Sequence, residues 1–303
     1  MATRLISAIC TPLDSHGNLH ADGLSAHLEA QLDAGIDGIL AAGTMGLMQL
    51  QTDQAHQQLV EVSAACVASR CELWVGVGDT SYQRTLARIR IAERYAVDGL
   101  VVLTPYLMKF SQAELRSYYW QLADVAQRPL FLYDLPGLTG TELSLELIEQ
   151  VIQHPNIHGL KCTRTWQWTV DLWNRIGDRT RIVPAQPERV ADLIRLGVPD
   201  NLDGLFPLFP HQARALAEAA DRGDFAEAKR LQEELSAFLP VAREAGLFGS
   251  VTAVLNAMGI PVEMAPEPSQ RLDEKQRARL LAQAPIQRLI ENETKRPVFH
   301  SSS

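Results

Sequence analysis

Lysine is scarce in this chain, and the scarcity singles out one residue. The 303 residues hold only Lys109, Lys161, Lys229, Lys275 and Lys295, the remaining cations being arginines. Only Lys161 ends an apolar run, in Ile157-His158-Gly159-Leu160-Lys161-Cys162. A lysine is rarely buried unless something pairs with it or uses it. An amine must be neutral to attack a carbonyl, and apolar surroundings favour the neutral form. From position alone, a structural lysine paired with a carboxylate is the competing reading. Tyr133 ends a second run, Leu130-Phe131-Leu132-Tyr133-Asp134. A phenol there can shuttle protons, or can be a core tyrosine with its hydroxyl satisfied. Thr44 follows a third, in Ala42-Gly43-Thr44-Met45-Gly46. Flanking glycines let backbone N–H groups approach a carboxylate, although the segment also reads as a plain turn.

These residues need elements that bring them to one place. Short apolar runs at 5–10, 36–42, 73–77, 99–103, 129–133, 157–161, 181–184 and 202–206 read as strands, and amphipathic stretches between them read as helices. The runs are apolar nearly throughout, as expected of strands buried on both faces. Eight such alternations predict a parallel (β/α)8 TIM barrel, with a doubly wound open sheet as the competitor. A repeat favours the barrel: Asp37-Gly38-Ile39, Asp98-Gly99-Leu100, His158-Gly159-Leu160 and Asp203-Gly204-Leu205 open every second strand. Alternate barrel strands share a side-chain layer, so a glycine at matching height would let a crowded end close. The barrel is assigned to residues 1–223. Residues 224–290 read as a C-terminal appendix of three helices, with Asp224 capping the first and Glu227 three residues on. Residues 291–303 read as a polar, disordered tail.

Composition narrows the function. The formal net charge is -8 and the pI about 5.5, which argues against a nucleic-acid partner. No run approaches the length of a membrane span and no signal peptide opens the chain, so a cytoplasmic protein is expected. Cys10, Cys66, Cys71 and Cys162 form no CxxC pair and are read as reduced thiols. His16, His20 and His27 cluster near the start, but the first two sit in a polar turn that reads as exposed. No metal and no other cofactor is expected, and the lack of a glycine-rich loop after the last strands disfavours a phosphorylated substrate.

Several segments, in this order, resemble the dihydrodipicolinate synthase / N-acetylneuraminate lyase family of class I aldolases. They are Thr11-Pro12, Gly43-Thr44-Met45-Gly46-Leu47 (the family's GTTGE-type loop), Pro105-Tyr106-Leu107 (its PYY), Tyr133-Asp134-Leu135-Pro136 with Thr139-Gly140 (its YNxP), and Gly159-Leu160-Lys161. The likeness covers nearly the whole chain. It implies a barrel, a Schiff base between Lys161 and pyruvate or a related 2-keto acid, and a homo-oligomer, a tetramer or dimer. It implies Tyr133 as proton shuttle, with Thr44 and the Met45 backbone, beside Gly43, holding the keto-acid carboxylate. The chain also departs from the pattern. Met45 replaces the second loop threonine, Leu47 the loop acid, Leu107 the second tyrosine and Leu138 the synthase arginine. Ala185-Gln186-Pro187 and Gly204-Leu205-Phe206 stand for the strand-seven and strand-eight motifs. Leu47, Leu107, Leu138, Thr163, Gln186 and Phe206 are therefore the expected walls around the second part of the substrate. Trp166 and Trp168 either join them or pack at the rim. Losing an arginine–carboxylate contact removes about 1.5–3 kcal/mol, which speaks against the lysine-biosynthesis synthase. The resemblance favours an aldolase or lyase on a 2-keto acid, with a 2-keto-3-deoxy acid as one candidate. A dehydratase or hydratase using the same imine, the synthase proper, and a barrel that binds a keto acid without turnover stay open.

Overall fold

The computed structural model describes residues 2–295. Eight strands alternate with helices along the chain: β1 (Arg4–Ala8), β2 (Gly38–Ala41), β3 (Glu72–Gly76), β4 (Gly99–Leu103), β5 (Leu130–Asp134), β6 (Ile157–Cys162), β7 (Arg181–Pro184) and β8 (Asp200–Asp203). Between and after them lie α1 (Ala21–Asp33), α2 (Asp53–Val67), α3 (Tyr82–Ala92), α4 (Gln112–Val125), α5 (Pro136–Thr139), α6 (Leu145–Val151), α7 (Trp166–Ile176), α8 (Val190–Leu196) and α9 (Pro210–Asp221). All pairings are parallel: each strand from β1 to β7 bonds the next, and β8 bonds β1. β7 and β8 lie side by side without a ladder, so the barrel is nearly closed. Strand residues are buried almost without exception, as sheets covered on the outside by helices require. Hydroxyl caps start several of the helices, with Thr52, Ser81, Ser144 and Thr165 each accepting a backbone N–H.

The N-terminal end of the barrel is a closed floor. Trp74 and Phe131 stack inside it with centroids 4.2 Å apart. The Arg181 guanidinium lies 4.8 Å from the Trp74 centroid and reaches Glu72 at 2.8 Å and Asp200 at 2.7 Å. Arg4 completes the group by pairing with the same two carboxylates. Two cations meet two anions, each from the first residue of a strand, so the floor is electrically neutral. The glycine repeat serves this packing. A Cβ on Gly99 would sit 2.8 Å from Phe131 Cε2, and one on Gly159 2.9 Å from Phe131 Cδ1. The aspartates before Gly38 and Gly99 accept the Leu5 and Leu73 N–H groups, each at 2.8 Å, pinning the neighbouring strand.

The strand read at 202–206 lies at Asp200–Asp203. Asp200 and Asn201 look like loop residues, but Asp200 is buried because Arg181 and Arg4 neutralise it. Gly204 therefore falls beyond β8, against Met45 at the opposite end, and the repeat holds for three strands rather than four.

Beyond Gly223 the three helices expected become five: α10 (Phe225–Ser236), α11 (Phe238–Ala245), α12 (Leu247–Ala257), α13 (Glu274–Leu281) and α14 (Ala284–Thr294). Asp224 does cap the first, accepting Glu227 N–H at 3.1 Å. Gly246, at φ 108°, separates α11 from α12, and Pro285 restarts the chain in the first turn of α14. Residues 291–294, expected in a polar tail, are helical, because α14 runs to Thr294. Glu293 docks it by accepting the N–H of His211 at 2.9 Å and of Gln212 at 3.3 Å on α9. Residues 296–303 of that tail lie outside the described residues. No helix among the described residues is long and apolar enough to cross a membrane.

Removing the Arg181 guanidinium leaves buried Asp200 and half-buried Glu72 with Arg4 as the remaining cation of the group. Arg181→Ala is expected to destabilise the fold by about 3 kcal/mol, read from urea unfolding. A change under about 0.5 kcal/mol, the scale of an ordinary surface substitution, would remove the floor network from the account of stability.

Candidate active site

Lys161, Tyr133 and Thr44 converge at the C-terminal ends of the strands, the end at which TIM barrels carry their chemistry. Tyr133 and Lys161 are register partners on β5 and β6. An irregularity creates that pairing. Leu130 pairs with Ile157, but Phe131 pairs with Gly159, so His158 is skipped and exposed. Without the extra residue, Tyr133 would face Leu160. Bulges re-aim side chains in this way, and this one brings the phenol to the lysine.

The Lys161 side chain is buried, and its Nζ lies 3.8 Å from the centre of the Tyr133 ring. Among the described residues it forms no ion pair, and the one carboxyl within its electrostatic reach, Asp203, is bonded instead to the Leu205 N–H. The Tyr133 hydroxyl is 3.1 Å from Thr44 Oγ1. Thr44 is held by the loop after β2, in which Leu47 N–H donates to the Thr44 carbonyl at 3.1 Å and Met48 N–H to the Gly43 carbonyl at 3.2 Å. Gln51 ties the loop down, donating to the Gly46 carbonyl at 2.6 Å. Ala42 and Leu47 adopt φ of 53° and 59°, a left-handed conformation uncommon outside glycine and asparagine, which marks a strained loop.

The other expected residues divide. Met45 is half-buried against Gly204. Leu47 and Phe206 are fully buried in the core. Leu107 and Leu138 are 86% and 69% exposed, Leu107 with φ 73°. Thr163 and Gln186 serve the chain itself. Thr163 Oγ1 donates to the Asp134 carbonyl at 3.1 Å, and Gln186 Nε2 donates to the Arg164 carbonyl at 2.6 Å and to Thr169 Oγ1 at 2.9 Å. Trp166 and Trp168 lie under the guanidinium groups of Arg189 and Arg164, an arrangement that favours packing at the rim.

Sequence reasoning gave no role to two buried carboxyls. Asp203 ends β8 and accepts Leu205 N–H at 2.8 Å. Burial pushes its carboxyl up to about 7, while that N–H and the Lys161 charge pull the other way. Asp134 follows Tyr133 and is pushed up by burial to about 6, opposed by the Leu143 N–H and by Arg164. The available signal was a carboxylate inside an apolar strand, visible at both positions.

The fold is a TIM barrel, with a buried lysine, a phenol and a hydroxyl gathered at the ends of its strands. The chain belongs to the Dihydrodipicolinate synthetase family, whose model matches residues 1–286. Curated members include 4-hydroxy-tetrahydrodipicolinate synthase 1 of Streptomyces coelicolor, 30% identical over 282 residues, 92% of each chain. The N-acetylneuraminate lyase of Salmonella paratyphi A is 25% identical over 273 residues, covering 89% of this chain and 92% of that protein. A solved prophage protein of the same family from E. coli K12, in complex with pyruvate, shares the fold with a TM-score of 0.87 and 24% identity, covering 95% of this chain and 98% of its own. The chain is accordingly a lyase of this synthase and aldolase family.

Asp203 gives a pH test. Its folded value of about 7 lies above the unfolded value of about 3.9, so the folded state holds the proton more tightly. Stability contributed by that proton is present at low pH and is lost as pH rises between those values. Asp203→Asn is expected to gain on the wild type between pH 4 and pH 7.5, by on the order of 3 kcal/mol in urea unfolding. Parallel stability curves would contradict the assignment.

Proposed function

We propose that this chain is a class I aldolase that joins Lys161 to a pyruvate-type 2-keto acid as a Schiff base and breaks or makes the adjacent carbon–carbon bond. The observation that carries this is the buried Lys161 amine, which forms no ion pair among the described residues, over the face of a phenol that is itself bonded to Thr44. The neutral Nζ attacks the keto carbon to give a carbinolamine. The Tyr133 phenol, relayed through Thr44, delivers the proton with which the hydroxyl leaves as water. The iminium that remains is an electron sink. The Tyr133 phenolate then takes the proton of a hydroxyl on the second carbon from the iminium carbon; the bond from that hydroxyl carbon to the carbon next to the iminium breaks, an aldehyde leaves, and the electron pair forms the enamine double bond. Protonation of the enamine carbon and attack by water release pyruvate and restore the amine. Thr44, with the backbone of Gly43 and Met45, is suited to hold the keto-acid carboxylate. The S. coelicolor and Salmonella relatives, named as a synthase and a lyase, support the reaction class.

The second part of the substrate is proposed to be apolar rather than acidic. Leu138, which stands where the synthase arginine is expected, and Leu107 present open apolar surface. Assembly as a homo-oligomer is proposed from the family resemblance.

Borohydride reduction in the presence of pyruvate is expected to add one reduced pyruvate to Lys161, located by peptide mass. Lys161→Ala abolishes the adduct, and Tyr133→Phe slows its formation by about 10²–10⁴-fold. An adduct on another lysine, or none, would overturn the assignment. Pyruvate released from 2-keto acids with apolar distal groups, coupled to lactate dehydrogenase, is expected to exceed the turnover of pyruvate with aspartate semialdehyde. Dihydrodipicolinate formation at ordinary enzymatic rates would reverse the substrate assignment.

A further inference from the structure

Asp134 directly follows Tyr133, and Arg164 lies three residues after Lys161. Arg164 Nη1 is 3.2 Å from Asp134 Oδ2, the aspartate being fully buried and the arginine side chain 14% exposed. The other Asp134 oxygen accepts Leu143 N–H at 3.2 Å. The Asp134 carbonyl accepts both the N–H and the hydroxyl of Thr163, each at 3.1 Å. Arg164 extends the connection: Nη2 reaches Glu142 at 3.2 Å, and the guanidinium lies 4.6 Å from the centre of Trp168 on α7. Its carbonyl takes the Gln186 amide, which also holds Thr169. These contacts begin where the β5–β6 ladder stops, at Asp134 and Cys162. They join the ends of β5, β6 and β7 to α7.

We propose that the Asp134–Arg164 pair is a positioning device, clamping the ends of β5 and β6 so that the Tyr133 phenol and the Lys161 amine keep their facing geometry. Its consequence for rate rests on the Schiff-base reading; its consequence for geometry does not. The clamp is sensitive to pH, since Asp134 sits near 6 and loses its charge below that. The groups facing it are Arg164 and Cys162 from β6 and its loop, Glu142 before α6, and Tyr119 on α4; β4 offers none. Burial pushes the Cys162 thiol up to about 12 and the Tyr119 phenol upward, so both stay neutral through the range in which Asp134 titrates.

The test uses the full chain carrying Asp134→Asn, Arg164→Gln, Arg164→Lys or Glu142→Gln. Trapping of pyruvate by borohydride is expected to slow by about tenfold or more in Asp134→Asn at pH 8, the scale of a small misplacement of reacting groups. The wild-type rate should carry a component lost as pH falls through 6, and Asp134→Asn should lack it. Arg164→Lys should keep more of the rate than Arg164→Gln, and Glu142→Gln, which alters an exposed partner, should stay within about twofold. A lowered unfolding midpoint with unchanged rate and pH profile would overturn the proposal in favour of stability alone. Asn has the shape of Asp, so folding is expected; if that variant does not fold, the two Arg164 variants supply the same comparison. A second readout needs no keto acid. Acetylation of Lys161 by acetic anhydride, normalised to the exposed Lys109, is expected to rise several-fold when the clamp is removed. An unchanged ratio overturns the positioning role. Failure of the wild type to trap pyruvate, with that ratio raised, overturns the Schiff-base reading alone.

Discussion

The register between β5 and β6 is the constraint from which the site follows. In a strand, neighbouring side chains point to opposite faces, so a slip of one residue exchanges inside for outside. Tyr133 and Lys161 meet only because one residue, His158, is left out of the ladder. That irregularity is held between two kinds of packing. Below it, Gly159 leaves room for the Phe131 ring, and the stacked Trp74–Phe131 pair leaves no space for another register. Above it, the backbone bond from Thr163 to Asp134 continues the alignment past the strands.

The two ends of the barrel treat charge in opposite ways. At the floor every cation has its anion: Arg4 and Arg181 against Glu72 and Asp200. Buried charges are tolerated there because they are paired. At the mouth the Lys161 amine lies over the ring face of the Tyr133 phenol instead. A carboxylate bonded to it would hold it as an ammonium ion, unable to attack a ketone. Asp203 lies within electrostatic reach of Lys161 without pairing with it, and one of its oxygens accepts the Leu205 N–H. The carboxylate nearest the site in sequence, Asp134, is bound by Arg164.

What could be read from the sequence follows from whether the information is local. β4 and β7 are found with their bounds as read, because apolar runs of a strand's length report burial directly. Lys161 was found because a lysine ending such a run is itself an anomaly. β8 was misplaced because Asp200 and Asn201 lie inside it, and their burial depends on Arg4 and Arg181, far away in the chain. The walls expected of Leu47, Thr163 and Gln186 rested on alignment to motifs. A motif carries position but not direction: Leu47 turns into the core, and the two polar residues bond to neighbouring backbone. The Asp134–Arg164 pair joins residues thirty apart, and nothing in either local segment announces the other.

A plugged floor also governs traffic. With Arg181 lying across the Trp74–Phe131 stack, the barrel axis is filled at its floor, and Lys161 faces the mouth at the other end. A lyase built this way works like a cul-de-sac. On the Schiff-base reading proposed above, the aldehyde fragment, lying nearer the exit, clears it before the fragment still bonded to the lysine can follow. Order of release is then a property of the architecture, fixed by geometry before any difference in affinity is considered.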